Sequence, residues 1–484
     1  MQENDAIATV PTGLFIGGRW TRTARTMPVE DPSTGQVLCE VADADPQEAM
    51  AALDAAAGAQ AAWAATPPRA RSEILARAYD LLIEQRERLA LIMTLEMGKP
   101  LAEARGEVAY AAEFLRWFAE EAVRIDGGYM TAPAGGSRFL VTRQPVGPSI
   151  LITPWNFPMA MGTRKIGPAL AAGCTCVIKP AAQTPLSTLA LADILVQAGL
   201  PDGVVNVVTT SDSDCVMAPL ILDPRSRKLS FTGSTPVGKH LLGLAARTVM
   251  RTSMELGGNA PFLVFDDADL DAAVEGAMQA KMRNIGQACT AANRILVQRG
   301  LVEQFAERLT ARMGELATGR GVEDGVVVGP LINREAVDKV HQLVGDAVGR
   351  GATVRLGGEP LDRPGYFYPA TVLTDVPPEA ELGSTEIFGP VAAITPFDTE
   401  EEAVALANDT PYGLVAYAFT RDLGRALRVS EALETGMVGL NQGVVSNPAA
   451  PFGGIKESGL GREGGFTGIE EFLETRYVGI SMPG

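Results

Sequence analysis

The chain has 484 residues, room for two or three domains of about 150 residues each. Hydrophobic residues make up 46% and charged residues 20%, the usage of a folded protein and not of a disordered one. A net charge of −17 repels phosphate backbones and anionic lipid heads, which argues against nucleic-acid and membrane-surface partners. The uncharged run 144–163 is long enough to span a bilayer, but Pro145, Pro148, Pro154 and Pro158 exclude a membrane helix. The acidic start, Met1-Gln-Glu-Asn-Asp5, does not read as a signal peptide. Five cysteines are too few for a disulfide framework, so a reducing cytoplasm is expected. With only His240 and His341 present, chemistry built on histidine has little to draw on.

In chain order, Leu14-Phe-Ile-Gly-Gly-Arg-Trp-Thr21 reads as a hairpin with a Gly-Gly turn. Asp45-Pro46 opens an Ala-rich helix over 46–65, with proline at its first position. Further helices are expected over 70–95 and 101–123, then a β segment over 137–143. From Val146 short apolar strands alternate with helices: strand 149–153, helix to 172, strand 174–178, helix 186–198, strands 204–208 and 228–232. The rhythm resumes with strand 262–265, helix 270–282, strand 294–297 and helix 301–316, and continues to about 438. This pattern predicts α/β architecture with parallel sheets covered on both faces.

Two glycine patterns need sorting. Gly459-Leu-Gly-Arg-Glu-Gly464 matches the dinucleotide string but lies near the end of the chain, away from an opening βαβ unit. Gly233-Ser-Thr-Pro-Val-Gly238-Lys239 has Walker spacing and follows a strand, but His240 stands where a magnesium-binding hydroxyl is needed. A phosphate held by backbone N–H groups at the next helix start remains open. Cys174 and Cys176 alternate along an apolar strand, as core residues do, and Cys39 and Cys215 have no informative context. Cys289 follows an amphipathic helix in the small-residue loop Asn284-Ile-Gly-Gln-Ala-Cys-Thr290; it reads either as an accessible nucleophile or as an ordinary loop cysteine. Glu255, just before Leu256-Gly-Gly-Asn259, is either a solvated strand end or a held base. Asn156, between Trp155 and Phe157 and bracketed by prolines, either bonds its own turn or donates to an oxyanion.

Together, Thr153-Pro-Trp-Asn-Phe-Pro158, Lys179-Pro-Ala, Phe231-Thr-Gly-Ser234, Glu255-Leu-Gly-Gly-Asn259, Gly286-Gln-Ala-Cys289, Glu386-Ile-Phe-Gly-Pro390 and Pro451-Phe-Gly-Gly-Ile-Lys456 closely resemble the aldehyde dehydrogenase superfamily. The resemblance runs from about residue 12 to the C-terminus. Met161-Gly-Thr-Arg164, Arg283-Asn-Ile-Gly-Gln and Ser458-Gly-Leu-Gly-Arg-Glu-Gly464 look most like succinate-semialdehyde dehydrogenases within it.

The resemblance implies an α/β fold with a Rossmann-like cofactor domain (1–124 and 144–255), a catalytic domain (256–440), and an oligomerisation arm with C-terminal segment (125–143 and 441–484). It implies Cys289 as nucleophile, Asn156 with the Cys289 N–H as oxyanion donors, and Glu255 as the base that hydrolyses a thioester. The reaction implied converts an aldehyde, NAD(P)⁺ and water to a carboxylate and NAD(P)H, with no metal. Cofactor contacts are implied at Trp155, Lys179, Ala182, Thr232, Gly233, Ser234, Val237, Leu256, Glu386 and Phe388. Ala182 stands where NAD-preferring relatives often carry a glutamate that would repel a 2′-phosphate, so NADP is expected over NAD. Arg164, Arg283 and Ser446 match the residues that hold the far carboxylate of a small acidic aldehyde, although Asn447-Pro-Ala-Ala450 departs from the usual wording. Ala291 replaces the second cysteine that some relatives use as a redox switch. The loop Thr209-Thr-Ser-Asp-Ser-Asp214 lacks the usual glycines beside the adenine. The family implies a homodimer or homotetramer. The alternatives are another aldehyde such as glutarate semialdehyde, a P-loop-like phosphotransferase, or a non-catalytic binding protein.

Overall fold

In the computed structural model the described residues are 2–482; Met1, Pro483 and Gly484, which fall within the expected segments, lie outside them. Two sheets organise the chain. The first has eight strands in the order Arg19–Thr21, Leu14–Ile16, Val205–Val207, Cys176–Lys179, Ser149–Ile152, Lys228–Thr232, Arg251–Glu255, Gly459–Leu460. The five strands from Val205–Val207 to Arg251–Glu255 run parallel. Chain order reverses between Ser149–Ile152 and Lys228–Thr232, the place where an open α/β sheet leaves a crevice at its carboxyl ends. The loops leaving those two strands carry Asn156 and Gly233.

The second sheet has seven strands, ordered Thr353–Leu356, Thr371–Thr374, Val391–Phe397, Ala292–Gln298, Ala260–Val264, Val415–Phe419, Met437–Leu440. Glu255 ends a strand of the first sheet, and Ala260, five residues on, begins one of the second. Cys289 precedes Ala292–Gln298, so the carboxyl ends of one sheet face the amino ends of the other across the same space. Each sheet is covered by its own apolar cluster, including Leu151, Ile178 and Leu189 for the first and Phe262, Ile295 and Val340 for the second.

The local signals explain most elements. Asp45 caps the helix Pro46–Ala65 in a reciprocal box with Glu48, with Pro46 at the first turn. The helix expected over 70–95 is two helices, Pro68–Glu84 and Arg86–Met97, broken at Gln85. The helix Ser213–Leu222, capped by Asp212, has no counterpart in the sequence reading; Arg251–Glu255 is a strand ending at Glu255, but that end is buried and not solvated. A third sheet pairs Leu473–Ser481 with Ser137–Pro145 and Gly128–Thr131, so the C-terminal strand joins the expected arm. Residues 441–472 turn back instead toward the crevice, where Gly459–Leu460 pairs with the end of Arg251–Glu255. No helix among the described residues is long and apolar enough to cross a membrane.

Candidate active site

A cavity of about 410 Å³ opens at the crevice between the sheets. Of the residues singled out from sequence, Trp155, Asn156, Arg164, Thr232, Gly233, Ser234, Leu256, Arg283, Cys289, Glu386, Phe388 and Ser446 line it. Lys179, Ala182 and Val237 are not in the lining, and Glu255 is buried behind it.

Cys289 is half-buried and opens onto this cavity. The loop before it is held in an unusual shape: Asn284 (φ 52°), Ile285 (φ 61°) and Gly286 (φ 74°) are consecutive left-handed residues. Asn284 and Ile285 lack glycine's freedom, and such residues typically cost about 1–3 kcal/mol each, so the surroundings must enforce them. Asn284 N–H donates to Glu103 (2.7 Å), and its Nδ2 donates to the carbonyls of Asn156 (2.9 Å) and Gln287 (3.0 Å). A Cβ on Gly286 would stand 2.1 Å from the Gly389 carbonyl oxygen, and one on Gly258 would stand 2.4 Å from that of Cys289. The Gly-Gly pair after Glu255 therefore lets the second sheet's entry strand pass directly against the cysteine.

Asn156 is fixed from behind. Lys99 Nζ donates to its carbonyl (2.7 Å) and forms a buried ion pair with Glu107, whose Oε1 accepts from Met159 N (3.1 Å) and Ala160 N (3.2 Å) at the start of the helix Pro158–Ala172. Asn156 Nδ2 donates to the Gln287 carbonyl (2.9 Å). An amide nitrogen has two N–H groups, so a second is left for the cavity. The Cys289 backbone N–H donates to no group among the described residues. Both donors belong to residues that line the same cavity as the sulfur, a composition that suits an oxyanion site.

Glu255 is 2% exposed, and neither carboxylate oxygen finds a partner among the described residues. Burial first, and then the Glu463 carboxylate, push its pKa well above the ordinary value; Arg164, Lys165 and Arg462 oppose the rise. Burial and the carboxylates of Glu386 and Glu255 push the Cys289 thiol up to about 12, against Arg164 and Arg283. Burial therefore disfavours the charged form of both groups before substrate and cofactor enter. Glu463, which pairs with Lys165 and lies 3.7 Å from Arg164 Nη1, was not singled out from sequence. Its glycine-rich surroundings hid it.

The cavity's other half fits a dinucleotide. Ser234 begins the helix Thr235–Ala246 without capping it through its side chain, leaving N–H groups for an anion. A Cβ on Gly233 would stand 2.4 Å from the Phe231 ring, so the chain turns there with no side chain in the way. Thr232 Oγ1 is buried without a partner among the described residues. Burial pushes Lys179 down to about 8, and its ammonium donates to no group among the described residues. Glu386 accepts from Gly258 N–H (3.1 Å); burial pushes it up to about 7 against that bond and the ammoniums of Lys339 and Lys281. Phe388 (φ 57°) packs edge-on against Trp155, with centroids 5.3 Å apart. The Thr209–Asp214 loop is tied elsewhere: Ser211 donates to Asp43, and Asp212 caps the following helix. His240, at the Walker-like loop, is exposed and paired with Asp214 (2.8 Å).

Comparison with known proteins agrees with this arrangement. The profile of the Aldehyde dehydrogenase family matches residues 20–478. A succinate-semialdehyde dehydrogenase of Paenarthrobacter nicotinovorans is 59% identical over 447 residues, covering 92% of this chain and 99% of that protein. The NADP(+) succinate-semialdehyde dehydrogenase GabD of Escherichia coli is 50% identical over 470 residues, 97% of each chain, and a glutarate-semialdehyde dehydrogenase of Pseudomonas aeruginosa is 50% identical over 466 residues, 96% of each. The crystal structure of an E. coli NADP-dependent enzyme superposes with a TM-score of 0.97 at 49% identity, covering 98% of both chains. The match along the chain and the site its own motifs assemble lead to one conclusion: this chain is an enzyme of the aldehyde dehydrogenase family.

Proposed function

We propose that the enzyme oxidises succinate semialdehyde to succinate with NADP, through a covalent intermediate on Cys289. One observation carries the substrate class. Arg283 lines the cavity beside Cys289 and forms no ion pair among the described residues, and the buried Arg164 lines the same space. An unpaired guanidinium in a cleft walled by aromatic rings favours a carboxylate ligand. The named relatives in Paenarthrobacter and E. coli support the same substrate. Glutarate semialdehyde, one methylene longer, would use the same anchors and is the second reading, in keeping with the Pseudomonas relative.

In this reading the Cys289 thiolate adds to the aldehyde carbon. Asn156 Nδ2 and the Cys289 N–H receive the oxygen as it becomes an alkoxide; one such donor is typically worth about 10²–10³ in rate. Leu256 and Glu386 would hold a nicotinamide beside this carbon, and that group would supply the hydride acceptor. A thioester remains on the sulfur. Glu255 takes a proton from water, the hydroxide attacks the thioester, and the carboxylate departs as the thiolate is regenerated. General-base assistance of this kind is worth about 10²–10⁴.

The adenosine ribose would lie against Lys179, with the phosphates at Ser234 and the helix behind it. Ala182 leaves a 2′-phosphate unopposed, and Lys179 attracts it, which supports NADP over NAD. Val237 would pack beside the nucleotide at that helix, Leu256 beside the nicotinamide, and Glu386 would hold its ribose. We assign 1–124 and 144–255 to the cofactor domain, 256–440 to the catalytic domain, and 125–143 with 441–484 to the arm and C-terminal segment. The two separate sheets and the three-stranded arm support that division.

Steady-state kcat/KM on succinate semialdehyde, glutarate semialdehyde and butanal, each with NADP⁺ and NAD⁺, tests the reading. The expected order places succinate semialdehyde with NADP⁺ first. Equal values for butanal would remove the acidic-aldehyde assignment, and a clear NAD⁺ preference would remove the cofactor assignment.

A further inference from the structure

Tyr110, on the helix Leu101–Glu121, reaches the substrate end of the cavity. Its hydroxyl oxygen accepts a hydrogen bond from Arg164 Nη2. A phenol that accepts from a cation still has its own proton to donate, and no acceptor among the described residues takes it. Arg164 Nη2 donates to Tyr110, and its Nη1 lies 3.7 Å from Glu463, an ion-pair separation. Its Nε is buried without a partner among the described residues. The guanidinium lies over Phe452 (4.1 Å) and Phe114 (5.0 Å), while that of Arg283 lies over Tyr110 (5.6 Å) and Phe157 (5.1 Å).

Glu463 is already paired with the buried Lys165, and Arg283 forms no ion pair among the described residues, so a guanidinium is free to meet an anion. A carboxylate offers about four lone-pair sites, so a hydroxyl donor can bind it alongside the two arginines and Ser446. We propose that the Tyr110 hydroxyl is a specificity-determining donor to the far carboxylate of the aldehyde, acting beside Arg164 and Arg283. This rests on the acidic-aldehyde reading and adds to it. Arg164 orients the phenol, and the phenol turns its proton toward the ligand. The aromatic walls exclude water, so the bond to a charged acceptor is worth roughly 10–100-fold in binding.

The test is Tyr110→Phe, which keeps the ring and its packing against Phe114. KM for succinate semialdehyde should rise roughly tenfold or more, with kcat changed less than about twofold. Kinetics on butanal, which has a methyl group in place of the carboxylate, should stay at the wild-type value. Arg283→Ala is measured alongside. If Arg283→Ala raises KM and Tyr110→Phe does not, the tyrosine proposal is overturned and the arginine anchor stands. If neither changes KM, the acidic-aldehyde reading falls and the proposal with it. An equal loss on butanal and on the semialdehyde would mark Tyr110 as merely structural and overturn the proposal.

Discussion

At the scale of single residues, the two groups on which the proposed mechanism rests, Cys289 and Glu255, lie in surroundings that disfavour their charged forms. Cys289 must lose a proton to attack, and Glu255 must lose one to activate water. Each pKa is pushed up mainly by burial. The populated fraction of either working form therefore grows with pH, by about tenfold per unit while pH stays below the pKa. We expect kcat/KM, and the rate at which iodoacetamide alkylates Cys289 in the free enzyme, to climb from pH 7 to pH 9. A plateau of both below pH 7 would contradict the environments described. Cys289, Glu255 and Asn156 were all legible as candidates in the sequence, because each sits in a short stretch of small, aromatic or proline residues. Glu463, Tyr110 and Lys99 were not. Each lies on an element distant in sequence, and only the fold brings it to the site: Glu463 beside Arg164, Tyr110 beside the same guanidinium, and Lys99 behind Asn156.

At the scale of elements, strands with apolar faces and helices with proline starts were readable, and two kinds of exception were not. The break at Gln85 has neither glycine nor proline to announce it; Glu84, Gln85 and Arg86 are all good helix formers, and tertiary packing overrides them. The strand Arg251–Glu255 was legible only at its end, Glu255, and that end is buried because one face of the strand is polar and hidden. Ser253 donates to Glu471 (2.8 Å) and accepts from Lys228 of the adjacent strand, so the hidden side is an ion-paired network that hydropathy cannot signal. The three-stranded arm leaves Tyr129, Met130, Tyr477 and Val478 exposed, with Gly128–Thr131 and Leu473–Ser481 as its open edges. Unpaired strand edges with apolar side chains seek another strand. We therefore expect a homodimer or homotetramer built through this arm. Sedimentation should give a mass of two or four times 50.9 kDa, and Val478→Lys with Met130→Glu should shift it toward the single chain. A wild-type monomer at micromolar concentration would contradict the arm's proposed role.

At the scale of the whole molecule, the site exists because two sheets meet end to end. The carboxyl ends of the first deliver Asn156, Gly233 and Glu255, and the loop entering the second delivers Cys289. The α/β rhythm in the sequence announced the first sheet's parallel strands. It did not announce that residues 441–472 would return to close the site with Ser446 and Phe452, since a segment rich in glycine and proline carries no periodicity. The central claim is that Cys289 carries an acyl group which Glu255 is needed to release. The most direct measurement is intact-protein and peptide mass spectrometry on Glu255→Gln mixed with succinate semialdehyde and NADP⁺, with NADPH followed by absorbance. The expected result is a burst of about one NADPH per active site, with a succinyl group retained on the Cys289 peptide. Steady turnover at the wild-type rate, or a burst with Cys289 left unmodified, would contradict it.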